Sequence, residues 1–385
     1  MRAEIHFFYC GNGDTILVRA GDEWGIVDCN LTKASGARER LLSVLDKNHV
    51  KKLRFVCITH YDSDHLRGVA KLLRERFCEE FGDGENRRRR WLVEQLIQPL
   101  QAKDIMRALA LLESAIKCVD DHKIDLEFSK EALEFLRLTK EMLTDGFGLP
   151  NDEKVYLPSY STPSLLAAPP FFPYERVVFG PFEVCFLSPE QDTADQFEAD
   201  AFYPIYEKFL HNPDELRQKI TANNVSRVVA FRHIDTDQAV LLGADAPDHC
   251  WPQIMKRWKE ICSHGLRSCD QPRWNKFHLI KVSHHGAKDS HYPALFSDWA
   301  TTEKTVALIS SRSCDPKHPH PDVWSNLTAR GVRLEVTGSV ATATKQAAKG
   351  PLIGKRRTTF EEKANDVCIH FDKGGLRVER CQVDD

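Results

Sequence analysis

Four side chains of metal-binding type fall within six positions in ITHYDSDHLRGV, residues 58–69: His60, Asp62, Asp64 and His65. The apolar run LRFVCI leads straight into them. Carboxylates and imidazoles at the end of a buried strand are costly unless a cation neutralises them. Two more strand-like runs end in the same residue types, AVLLGAD in Asp245 and LIKVSHH in His284 and His285. If the three strand ends converge on one sheet edge, they gather enough ligands for two divalent ions and a water activated for hydrolysis. His285 and His320 are then placed to protonate a leaving group or to hold a phosphate.

The elements that must position these residues follow from pattern. Residues 3–9, 15–19 and 24–29 read as an N-terminal meander, 36–48 as an amphipathic helix, LRFVCITH as a buried strand and 66–77 as a helix. From about 78 to 170 the character changes, with helical spacing over 90–118 and 129–143 and then the proline-rich LPSYSTPSLLAAPPFFPYE. Strand-like text resumes at 176–189, and 192–220 reads as helix or loop. SRVVAFRHI and QAVLLGAD form a hairpin, 248–263 a helix, TVALISS a strand, HPDVWSNLTARG a helix and DVCIHFDKGGLRVE a closing hairpin. The order suits a layered α/β core divided as 1–77 and 176–385, with 78–175 as a helical insertion and arm.

Composition bounds the partners. A net charge of −3 over 385 residues excludes a globally basic nucleic-acid binder and leaves polyanion contact to local patches. MRAEIHFFYCGNGD lacks the apolar core of a signal peptide, and no run is long and apolar enough to span a membrane, so the expectation is a cytoplasmic chain with no membrane partner. The twelve cysteines sit singly with no CxxC, several inside apolar strands (Cys57, Cys185, Cys368). That favours buried free thiols over disulfides or a structural zinc.

ITHYDSDHLRG resembles the HxHxDH signature of metallo-β-lactamase-fold hydrolases, and more closely the HxDxDH of the ComEC-like branch, soluble relatives of the hydrolase domain of the DNA-uptake competence protein. In order along the chain, GNGDTILV resembles that branch's GQGDAILI, WGIVDCN its ILIDCG and NNVSRVV its N-x-x-S-V-V. LLGADA is similar to LLTGD, KVSHHGAKDS to KVPHHGSKYS and HPHPDVWSNL to HPHPEVLERL. These matches span residues 5–70 and 176–340.

The resemblance implies a four-layer αββα sandwich and a metal-dependent hydrolase, a phosphodiesterase or nuclease acting on nucleic acid or another phosphodiester. It implies two ions: His60 and Asp62 on one, Asp64 and His65 on the other, Asp245 bridging and His284 completing the second. Asp64 also orients the attacking water. Asp14 and Asp28, in matched motifs, read as supports behind the ligands. Half the set is oxygen, which brings manganese or magnesium into competition with zinc. Where many superfamily members place a further histidine, this chain has Ser188. That departure and the long insertion support a rival reading, a metal-bound scaffold of low activity whose insertion binds a protein partner.

Three weaker signals remain. RRRRW (87–91) reads as a phosphate contact or, preferably, the solvated first turn of an insertion helix. KGPLIGKRR (349–357) reads as a basic loop, and PPFFPYE (169–175) as a strut.

Overall fold

Alternating apolar residues in AEIHF and TILVRA, and the apolar WGIVDC, form β1 (Ala3–Phe7), β2 (Thr15–Ala20) and β3 (Glu23–Cys29), an antiparallel meander. The structure, a computed structural model, describes residues 2–32, 35–82, 88–98, 130–146, 165–167, 177–188, 223, 226–263, 276–300, 305–311, 318–337, 365–372 and 375–382. After helix α1 (Ala37–Lys47), β4 (Phe55–Cys57) pairs parallel to β3. Helices α2 (Ser63–Leu66) and α3 (Val69–Arg76) follow, then the hairpin of β5 (Cys78–Phe81) and β6 (Arg88–Trp91). With β7 (Leu96–Gln98), β8 (Leu165–Ala167), β16 (Asn365–Asp372) and β17 (Gly375–Gln382), the first sheet runs β17-β16-β1-β2-β3-β4-β7-β8.

The second sheet holds β9 (Val177–Phe179), β10 (Phe182–Phe186), β11 (Val229–His233), β12 (Ala239–Leu242), β13 (Leu279–Lys281), β14 (Val306–Ser310) and β15 (Arg333–Thr337), in reverse chain order across the sheet. β12 to β15 are parallel. Helices α4 (Lys130–Gly146), α5 (Trp251–Ser263), α6 (Pro293–Asp298) and α7 (Pro321–Ala329) complete the described elements.

Three apolar clusters make four layers. Between the sheets, Ile5, Phe7, Ile16, Val18 and Val27 meet Val184, Phe231, Val240, Leu279 and Leu308. On the outer face of the first sheet, Leu17, Ile26 and Val56 pack under Leu41 and Leu45 of α1, Leu72 and Leu73 of α3, and Phe135, Leu138 and Met142 of α4. On the outer face of the second, Leu241, Ile280 and Ala307 pack under Trp251 and Trp258 of α5 and Val323 and Leu327 of α7. Burying both faces of each sheet in this way supplies the main driving force for folding.

The expected meander, both hairpins and the helices at 36–48, 129–143, 248–263 and 320–331 are present within a few residues. The helix expected at 66–77 starts only at Val69, as α3, with Gly68 at φ 91° as its N-cap. One expectation fails. The helix over 90–118 does not start at 90, since residues 88–91 and 96–98 are strands and 99–118 lie outside the described residues. The unpaired edge of β4 takes up Leu96 and Ile97 in register with Val56 and Cys57. Val93 and Leu96 join the helix-side core and Ile97 the inter-sheet core. A short run buried on both faces carries no period that separates strand from helix. RRRRW is accordingly no helical turn: Arg88–Trp91 form β6, and Arg89 pairs with Glu80 and with Glu141 of α4. Residues 169–175, 192–220 and 349–357 also lie outside the described residues.

An ion pair ties α1 to β16. Arg40 of α1 donates to Asp366 Oδ2 (2.8 Å), Tyr9 O (2.6 Å) and Ser35 O (2.6 Å), and Tyr9 N donates to Asp366 Oδ1 (2.8 Å). Removing one partner of such a buried pair strands the other. Asp366→Ala is expected to lower the unfolding free energy by about 3 kcal/mol in denaturant titration, whereas an unchanged midpoint would show the pair to be dispensable.

Candidate functional site

The potential ligands converge where the parallel strands end. His60 follows β4, α2 presents Asp64 and His65, Asp245 follows β12, and a 3-10 turn after β13 carries His284 and His285. Asp14 precedes β2, and Asp28 is the penultimate residue of β3. Carboxyl ends of parallel strands are where open α/β sheets place their ligands.

Asp245 is the centre. It is 2% exposed. His65 Nε2 stands 3.4 Å from its Oδ1, while the Nε2 atoms of His60, His284 and His285 stand 3.7, 3.8 and 3.9 Å from its Oδ2. His285 Nε2 is also 3.3 Å from Asp64 Oδ2, and His60 Nε2 is 3.7 Å from Asp62 Oδ2. Ligand atoms of Asp64, His65, Asp245 and His285 all lie within 4.8 Å of one another. Asp62 and His284 stand at the more exposed side.

The outer nitrogens of three imidazoles are committed elsewhere. Asp28, 1% exposed, accepts from Thr59 N (2.8 Å) and Thr59 Oγ1 (2.7 Å), and its Oδ2 lies 2.7 Å from His65 Nδ1. A carboxylate only accepts, so His65 Nδ1 is the donor. The Thr59 hydroxyl spends its proton on Asp28, so His60 Nδ1, 3.0 Å away, donates to that hydroxyl. Ser310 Oγ donates to Asp14 Oδ1 (2.6 Å), so His285 Nδ1 donates to Ser310 (3.1 Å). Asp14 is held in turn by the buried ammonium of Lys281.

In each neutral imidazole the Nε2 lone pair therefore faces carboxylate oxygens. The Nε2 atoms of His60, His65 and His285 and Asp245 Oδ1 are buried without a hydrogen-bond partner. Acceptors facing acceptors in a buried space need protons or a cation between them. The donor set, imidazole nitrogens and carboxylate oxygens with their far sides fixed by hydrogen bonds, fits a divalent metal.

Titration behaviour reflects the same crowding. Burial pushes the His60 pKa down to about 3, and His65 beside it adds to the effect. Burial opposes charge on His65 and His285 too, but Asp245 and Asp28 around the first, and Asp245 and Asp64 around the second, hold both above the usual imidazole range.

Backbone strain gathers here. Asp28, Ala244, His284 and His285 have φ between 45° and 54°, a region costing non-glycine residues about 1–3 kcal/mol each.

Several supports escaped the sequence reading: Thr59, Lys281 and Ser310, each an ordinary strand residue in pattern. Lys281 sits in KVSHHG, and an ammonium in a strand otherwise apolar was the available signal. His320, expected to act on a leaving group, caps α7, its Nδ1 accepting from Asp322 N at 3.2 Å. His318, two residues earlier, is the histidine whose ring lies 5.6 Å from that of His284 and 6.3 Å from that of His285. Ser188 is tied to its neighbours, donating to Ser226 O (2.6 Å) and accepting from Val228 N (2.7 Å).

Residues 8–129 match the family model of the metallo-beta-lactamase superfamily. The chain's two facing sheets with outer helices are the αββα sandwich expected from the sequence. Among solved structures, the metallo-beta-lactamase fold protein YhfI from Bacillus subtilis aligns over 87% of this chain and 96% of that one, at 12% identity and a TM-score of 0.38. Unliganded yeast PDE1 aligns over 87% of this chain and 98% of that one, at 10% identity and a TM-score of 0.35. Both are distant likenesses from which no residue role is taken. No curated protein matches the chain. Among the described residues, no helix is long and apolar enough to cross a membrane.

Gly13 sets the floor of the site. At φ 111° its missing Cβ would stand 2.2 Å from Asp64 O and 2.3 Å from Asn30 Nδ2. Asp14 N also donates to Asp64 O (3.2 Å). Gly13→Ala is therefore expected to push α2 outward and to cost about 1–3 kcal/mol, read as a lower melting midpoint with amide shifts at Asp64 and His65. A midpoint and spectrum matching the parent would show that the contact is not tight.

Proposed function

We propose that the chain is a metal-dependent hydrolase of phosphodiesters, a phosphodiesterase or nuclease of the ComEC-like branch, working with two divalent ions of zinc or manganese, with magnesium a competitor. The observation that carries this reading is the set of buried Nε2 atoms of His60, His65 and His285 turned toward Asp245 without hydrogen-bond partners. The substrate class rests on superfamily membership and on the ordered motifs.

In this reading His60, Asp62, Asp245 and His284 would hold one ion and Asp64, His65, Asp245 and His285 would hold the other. The grouping moves His284 from the second ion to the first, and His285 from proton donor to ligand, because the buried His285 ring lies against Asp64 and Asp245. Such ions supply an acidified water and offset charge developing at an attacked phosphorus. Asp64, partly exposed while Asp245 is buried, takes a proton of the attacking water and aims its lone pair. His318, beside His284, is placed to give a proton to the departing oxygen. Asp28, Thr59, Ser310, Asp14 and Lys281 keep the imidazoles in one tautomer, so no reorganisation is needed during reaction.

Replacing Asp64 or Asp245 with Ala is expected to leave a folded protein whose metal-dependent turnover of bis-p-nitrophenyl phosphate and of single- and double-stranded DNA drops about 10²-fold or more. Full activity in both folded variants would overturn the two-ion mechanism. The rival reading, a scaffold of low activity that binds a protein partner through residues 78–175, has one observation in its favour: the Ser188 hydroxyl is already used by Ser226 and Val228 and adds no ligand. A parent protein that binds metal yet turns over no ester or nucleic acid favours that rival.

A second expectation concerns protons. Metal-free, the carboxylates around His65 and His285 make both rings hold a proton more tightly than a free imidazole, while burial keeps His60 neutral. A metal must displace the protons from the first two. Affinity is expected to rise with pH across neutrality, and calorimetry in buffers of different ionisation enthalpy should register proton release. Binding without release at pH 7 would place the ion away from these imidazoles.

A further inference from the structure

The two ligand groups that meet at Asp245 are not built alike. Ligand atoms of Asp64, His65, Asp245 and His285 all lie within 4.8 Å of one another. Among the described residues, no group that close includes His60, Asp62 or His284. Those three form an open chain instead. His60 Nε2 is 3.7 Å from Asp62 Oδ2 and 3.7 Å from Asp245 Oδ2, and His284 Nε2 is 3.8 Å from that same Asp245 oxygen.

Exposure follows the same division. The His65 and His285 side chains are 0% and 2% exposed, and Asp64, at 31%, has His285 Nε2 3.3 Å from its Oδ2. In the open group His60 is buried, but the His284 and Asp62 side chains are 27% and 48% exposed. Asp62 occupies the N-cap position of α2, where an aspartate ordinarily accepts from amides of the first turn. Its side chain makes no such bond, so α2 does not hold the carboxylate in place. His284 Nδ1 lies 3.2 Å from Ser290 Oγ, a longer contact than the 2.7 Å between His65 Nδ1 and the buried Asp28 carboxylate. Ser188, its hydroxyl held by Ser226 O and Val228 N, supplies no further donor.

These differences act on affinity. A cation entering the closed group finds its donors already gathered. One entering the open group must first draw in Asp62 and His284 and freeze their rotamers, which costs conformational entropy. It also arrives beside a like charge, with Asp245 already engaged. We propose that the two ions bind in order: a tight one at Asp64, His65, Asp245 and His285, then an exchangeable one at His60, Asp62, Asp245 and His284, whose occupancy ties turnover to the free divalent-metal concentration. This order rests on the two-ion reading above and adds to it that Asp62 and His284 are the movable ligands. The protein at low free metal then holds one ion and turns over little.

Manganese titration of the metal-stripped full chain, with the free ion read by electron paramagnetic resonance, tests the order. The parent is expected to take up one ion tightly and a second about 10–100-fold more weakly. Asp62→Ala should keep the tight ion and lose the weak one, with the melting midpoint of the metal-free protein unchanged. Asp64→Ala should lose the tight one. Should Asp64→Ala not fold, elemental analysis after desalting gives the same reading, with about one ion per chain retained by the parent and by Asp62→Ala alike. Two ions of equal affinity in the parent, or loss of the tight ion in Asp62→Ala, would overturn the order while leaving the two-ion reading in place. A parent that binds no manganese, or a single ion even at millimolar concentration, removes the two-ion reading and the order with it.

Discussion

The whole site depends on one buried carboxylate that does not itself face the central cluster. Asp28 sits at the end of β3 and accepts from Thr59 N, Thr59 Oγ1 and His65 Nδ1. Through those bonds it sets the tautomer of His65 directly and that of His60 by way of the threonine hydroxyl. Burial raises its pKa, while His65 and the Thr59 amide work in the opposite direction. A charge at that depth is tolerable only with its partners in place. That requirement locks the ends of β3 and β4 and the start of α2 into one arrangement. Ser310 of the second sheet does the equivalent for His285, and its partner Asp14, beside β2 of the first sheet, is held by Lys281 of the second, which links the two sheets across the site.

The architecture makes that arrangement possible. Parallel β3–β4 and parallel β12–β13–β14 send their carboxyl ends to one rim. The turns after them carry residues in left-handed conformations, and the apolar clusters on both faces of each sheet supply the packing that holds such strain. α4 lies against α2 and α3: its Glu131 pairs with Arg67, and Phe135 meets the Tyr61 ring at 6.4 Å. A segment far along the chain thus buttresses the short helix that presents Asp64 and His65.

Much of this was legible in the sequence, and the illegible part has a common cause. The gathering of His60, Asp62, Asp64, His65, Asp245 and His284 at one rim could be expected because each ends or closely follows an apolar run with a residue type that burial penalises. Thr59 and Ser310 could not, because a hydroxyl in a strand is unremarkable until its partner across the sheet is known. HPHP offers two equivalent histidines, and only the structure tells His318, beside His284, from His320, which caps α7. At β7, burial on both faces removed the alternation by which a strand is recognised. Between α2 and α3, Gly68 takes a left-handed φ with Leu31 packed close against it, which no period in the sequence signals.

The central claim is that the imidazoles of His60, His65 and His285 surround cations and not merely protons. Anomalous diffraction from crystals grown with manganese tests it most directly. The account predicts two anomalous peaks flanking Asp245, one toward His60 and one toward His65 and His285. Crystals that diffract well, contain manganese in the solvent and show no peak within bonding distance of Asp245 would contradict it.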